Sequence, residues 1–152
     1  MEDDWIIEKL FSHSSDPSRA EYKGNLIVRS DRFSLDGCDE FSVIFESADS
    51  DWPQAVRLET DIPIKINGHR GILFTLWSDT APTAVPVHCG DGAKEVWVSN
   101  AWDPTGDREP EVWTGCGAMM TEHLESGRRY RCNDGFPNAE FDDLVFRLER
   151  VP

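Results

Sequence analysis

The strongest constraint on this chain is a repeated alternation of apolar and polar residues at a period of two, broken at short intervals by turn-forming residues. Phe41, Val43 and Phe45 fall on one side of their run, and Ile62, Ile64 and Ile66 alternate with Pro63 and Lys65. Successive side chains of a strand point to opposite faces, so such runs bury one face and leave the other to solvent. On this basis strands are predicted over residues 25–29, 41–46, 55–59, 62–66, 71–77, 83–89, 94–99, 111–114, 128–132 and 144–151. Asn67-Gly68, followed by His69-Arg70-Gly71, marks a tight hairpin, because both residues tolerate the positive φ of such turns. The strands ending at Ile66 and starting near Gly71 are therefore expected to pair.

Two places invite a helix. Residues 119–125 are one such place, and residues 3–11 offer an apolar stripe of Trp5, Ile6, Leu10 and Phe11. In the second, the consecutive apolar residues with β-branched isoleucines tip the expectation towards a strand. Residues 12–23 are polar and read as a long loop. Roughly ten short strands with turns about eight to twelve residues apart imply an all-β fold, an antiparallel β-sandwich or jelly roll. The length of 152 residues suits a single domain burying roughly 68–70% of its unfolded surface.

Charge narrows the partners. With 29 acidic residues against 15 lysines and arginines, the formal net charge is −14. Such a chain repels phosphate backbones, which disfavours nucleic acid and anionic membrane, and it suits a cation. No apolar run approaches a membrane span, and Met-Glu-Asp-Asp-Trp lacks the basic start of a signal peptide, so a cytoplasmic protein, or one exported without a signal peptide, is expected. Cys38, Cys89, Cys116 and Cys132 allow three pairings but show neither zinc spacing nor a Cys-x-x-Cys pattern, and buried free thiols are the expected state. Nothing in this pattern opposes an oligomer.

The richest candidate for chemistry is the acidic turn from Asn133 to Asp143, leading into the final strand. Asp134, Asn138, Asp142 and Asp143 place oxygens where a Gly-Pro loop folds back, an arrangement suited to a hard cation such as Ca²⁺. A solvated turn whose aspartates cap backbone amides is the competing explanation. Repulsion among clustered carboxylates favours the ion.

These residues carry a family likeness. Tyr130-Arg131-Cys132-Asn133-Asp134-Gly135, then Asn138, then Asp142-Asp143 before an alternating strand, resembles the last loop and strand of the bacterial calcium-dependent galactose-binding lectins. The resemblance implies Asp134, Asn138 and Asp142 as ligands of a Ca²⁺ that also binds sugar hydroxyls, with Asp143 entering if the loop register slips by one. Trp102-Asp103-Pro104-Thr105-Gly106-Asp107-Arg108-Glu109, with Cys116-Gly117-Ala118 after it, is similar to that family's Gly-Asp-Arg-Glu loop and Cys-Gly-Ala strand. It implies a ligand-binding role for Asp107. Pro110 stands where the family has a sugar-contacting histidine, and the family's early tyrosine ligand has no counterpart.

Six tryptophans are many for this length. Sugars stack their CH faces on aromatic rings while their hydroxyls seek polar partners, so a loop tryptophan beside carboxylates suits carbohydrate. Trp102, between Asn100 and Asp103, is the best such candidate. Trp77 and Trp97 lie in strands, opposite the aliphatic face of each. The histidines are scattered, although His88 beside Cys89, with Asp79 and Asp91 near in sequence, offers a general base or a thiolate pair. No serine-hydrolase elbow, phosphate loop, dinucleotide fingerprint or His-Glu-x-x-His is present. The expected function is a lectin-like, calcium-dependent module for a carbohydrate or similar polyhydroxylated molecule. The alternatives are a small cofactor-free isomerase or cyclase with an aromatic-lined pocket, and an acidic inhibitor or interaction protein steered onto a basic target.

Overall fold

The computed structural model describes residues 4–90 and 92–152. Among these, one helix, α1 (Ile6–Ser12), precedes eleven strands. The strands are β1 (Arg19–Tyr22), β2 (Asn25–Val28), β3 (Asp31–Ser34), β4 (Glu40–Ala48), β5 (Gln54–Ile66), β6 (His69–Trp77), β7 (Ala84–His88), β8 (Glu95–Trp102), β9 (Ala118–Leu124), β10 (Gly127–Asn133) and β11 (Leu144–Val151). The all-β, antiparallel class expected from the alternation is what the chain adopts. Its strands form one curled sheet in the order β1-β2-β9-β10-β11-β4-β7-β5-β8-β3, with β6 added on β5.

The curl originates in β5. Its register with β6 shifts between Glu59 and Ile64, where Pro63 has no amide hydrogen to give to a ladder. Residues 55–59 and 62–66, expected as separate strands, thus become one bent strand. Its first half pairs with β8, and its end reaches β7 through Lys65 and His88. That corner brings the two parts of the sheet around one core, in which Phe33, Phe41, Val43, Leu58, Val98, Tyr130 and Phe146 are buried together. The Tyr130 ring stacks on Phe146 at 4.9 Å, and its hydroxyl donates to Asp31 at 2.7 Å, which ties β10 to β3.

The Asn67-Gly68 turn forms as expected, with φ of 49° and 82°, and Ile66 pairs with His69. Other local expectations are corrected by packing. The segment expected to favour a strand near the start is α1, because Ile7 and Phe11, four residues apart, bury one helical face against Tyr22 and Ile27. Asp3, part of that prediction, lies outside the described residues. Residues 119–124 lie in strand β9 and Glu125 in the turn after it, since β2 on one side and β10 on the other both supply ladder partners. The polar loop contains β1, held by β2. β3 arises where no strand was predicted, and residues 111–114 reduce to one bridge, Glu111 to Trp102. All four cysteines are free, with Cys89, Cys116 and Cys132 buried.

Candidate functional site

The acidic turn is built from within. Asn133, at the end of β10, accepts the Phe141 amide at 2.7 Å and donates to the Asn138 carbonyl at 3.2 Å, closing the loop on itself. Asp134 then fastens this loop to the one after β4. Its Oδ2 accepts the Ser50 hydroxyl at 2.6 Å and the Gln54 amide at 3.0 Å, while Oδ1 accepts the Phe136 amide at 3.0 Å. Asp143 completes the arrangement by accepting the Asp134 backbone N–H at 2.9 Å and the Asn138 side chain. From the opposite side, the Asp49 amide donates to the Asp143 carbonyl at 2.9 Å.

Between the two loops lies a pocket of about 370 Å³. Asp134, Asn138 and Asp143 line it from the acidic turn, and Asp49, Ser50 and Asp51 from the loop after β4. Trp52 and Phe136 complete it, their rings meeting edge to face at 5.9 Å and 81°. Phe136 is 57% exposed, so its ring is presented to solvent at the rim.

Burial, with the neighbouring Asp134 and Asp142 charges adding to it, pushes the Asp143 carboxyl up to about 6, against the opposing hydrogen bonds from the Asp134 amide and Asn138. An acid whose folded pKa is raised binds protons more tightly folded than unfolded, so its contribution to stability falls as pH rises from about 4 to 6. Asp143→Asn keeps an acceptor for the Asp134 amide and removes the buried charge. It is expected to raise stability at neutral pH by about 1–2 kcal/mol and to flatten the pH dependence over that interval. Urea unfolding of both proteins at several pH values checks this, and an unchanged slope would contradict it.

Of the residues singled out from sequence, Asp134, Asn138 and Asp143 are brought together, and Asp142 is exposed and outside the pocket lining. Trp102 is not on an open loop. It ends β8 with 1% exposure, beneath the acidic turn, because its ring fills the space left by Gly117 and Gly135. Asp107 is exposed away from the pocket and accepts the Glu109 amide at 2.9 Å, a turn-capping role. Its neighbour Asp103 is buried, which raises its pKa, yet the amides of Thr105, Gly106 and Arg108 outweigh that and hold it below the usual carboxylate range. Sequence reasoning missed Ser50, Trp52, Gln54 and Phe136. The acidic run ending at Asp51 before Trp52-Pro53 was the available signal.

Calcium takes six to eight oxygens. Here both Asp134 oxygens already accept hydrogen bonds, Asp142 stands apart, and among the described residues no three His, Cys, Asp or Glu side chains are grouped to hold a metal.

His88 borders a larger, open groove of about 940 Å³, with Leu76, Trp77, Pro82 and Val85 among its walls. His88 Nδ1 is 3.2 Å from Glu40. Cys89 is buried in the core while His88 is exposed, and burial first, then Asp39 and Glu40, pushes the Cys89 thiol up to about 11. Asp79 is held by Arg108 at 2.9 and 2.7 Å, and Asp91 lies outside the described residues. Comparison of the chain with protein-family models, with curated proteins and with solved structures gave no match.

Proposed function

We propose that the pocket between residues 49–52 and 134–143 binds a polyhydroxylated ligand, a sugar in the first instance, and that the protein is a carbohydrate-binding module. The observation that carries this reading is the exposed Phe136 ring set against Trp52 over carboxylates and an amide. Aromatic faces take the apolar CH side of a sugar, while carboxylate and amide oxygens accept its hydroxyl hydrogens. The pocket volume lies within the range of small-molecule sites. The loops are pre-fastened through Asp134, so binding costs little ordering.

Calorimetry with a panel of mono- and disaccharides, with added calcium and with chelator, is expected to give saturable heat from at least one sugar. Phe136→Ser should weaken it by about tenfold through loss of the stacking face, with little change in stability because the ring is exposed. No heat from any sugar, or equal heat from the variant, would overturn the proposal. The groove beside His88 supports the isomerase alternative less well, since its histidine is half solvent-exposed and Trp77 is the one tryptophan among its walls.

A further inference from the structure

Trp113 adopts φ of 62°, the left-handed region that a bulky side chain rarely enters, and yet its ring is 42% exposed. Burial of the ring therefore does not account for the strained backbone. The conformation is enforced from beneath by Arg29, whose guanidinium donates to the carbonyls of Trp113 and of Gly115 (2.8 Å) and lies 4.3 Å over the Phe11 ring. A strained residue held by buried structure is a reason to look for function there.

The strain puts the indole at a built place. Trp113 Nε1 donates to the Ser99 hydroxyl at 3.4 Å, and the ring walls a pocket of about 190 Å³ with Trp97, Arg57, Glu59 and Ser30. Arg57, Glu59 and Trp97 come from the outward face of the sheet. Arg57 is paired in register with Ser99, and Glu59 with Trp97, while the alternate residues Val56, Leu58, Val96 and Val98 face the core. Trp97 is backed by the Arg32 guanidinium at 4.9 Å from its ring.

We infer that Trp97 and Trp113 form a second carbohydrate subsite, separate from the pocket at Phe136, that takes one pyranose ring. The volume is several times that of a water molecule and suits a single ring. Indole faces take its CH surface, and Arg57 and Glu59 offer a hydrogen-bond donor and an acceptor to adjacent hydroxyls. Two tryptophans and a glutamate also resemble a cage for quaternary ammonium, but Arg57 in the lining and Arg32 over Trp97 oppose a cationic guest. A neutral or acidic sugar fits the charges.

The test follows the indole N–H resonances of Trp97 and Trp113 in the full chain during titration with methyl glycosides of glucose, galactose, mannose, N-acetylglucosamine and glucuronic acid, and with choline as the cationic probe. Saturable shifts of both indoles with at least one glycoside are expected. Trp113→Gly, which suits the backbone, should weaken that binding by at least about tenfold without lowering Tm, and Arg57→Ala should weaken it too. Phe136→Ser should leave these shifts intact, which separates this subsite from the other pocket. Indoles unmoved by every glycoside, shifts with choline alone, or a large fall in Tm for Trp113→Gly would overturn the inference.

Discussion

Trp102→Ala is expected to lower the free energy of unfolding by about 3–5 kcal/mol. The side chain is buried at the end of β8, and two glycines exist to receive it. A Cβ on Gly117 would stand 2.2 Å from its ring, and one on Gly135 would stand 3.0 Å away. Removing the indole leaves a void under the acidic turn that neither glycine can fill. Gly135 follows Asp134 directly, so the pocket is expected to loosen and sugar binding to fall with stability. Trp102→Phe retains part of the packing and should lose less. Denaturant unfolding measures both. A tryptophan that met ligand on an open loop would show almost no stability change on truncation, so a small value for Trp102→Ala would contradict its role in packing beneath the acidic turn.

Asp134→Ala carries the second largest expected effect, about 3–4 kcal/mol. Three donors, from Ser50, Gln54 and Phe136, converge on its carboxylate, and the residue is buried. Truncation orphans all three and releases the loop after β4 from the acidic turn. Part of the cost is offset, because the Asp134 charge is among the groups that push Asp143 up. The variant should therefore also show a weaker pH dependence between about pH 4 and 6 than the parent. A loss below about 1 kcal/mol would mean that water replaces the missing carboxylate and that the two loops are not fastened through it.

The sheet was legible because its signal is local. Alternation in residues 41–46 and 144–151 stands in the sequence whatever those strands pair with, and Asn67-Gly68 specifies its turn by backbone sterics alone. What failed depends on neighbours. Residues 119–125 have no strand identity until β2 and β10 flank them, and α1 becomes a helix because Ile7 and Phe11 find Tyr22 and Ile27. The candidate site divides in the same way. Asp134, Asn138 and Asp143 could be picked out because they are close along the chain and separated by turn residues. Ser50, Trp52 and Gln54 lie eighty or more positions from Asp134, and only the folding of β4 beside β11 carries them to it. The polar neighbours of Trp102 in sequence point to a loop. In the fold, Asn100 and Asp103 spend their polarity on backbone groups, and the indole between them turns inward.

The proposed ligand is a sugar held between the two fastened loops. The most direct measurement is a titration of isotopically labelled protein with the saccharide panel, following the backbone amides and the Trp52 indole. The predicted result is saturable displacement confined to residues 49–54 and 133–143, lost in Phe136→Ser. Amides in those loops that stay still at saturating sugar, while the protein remains folded, would contradict it.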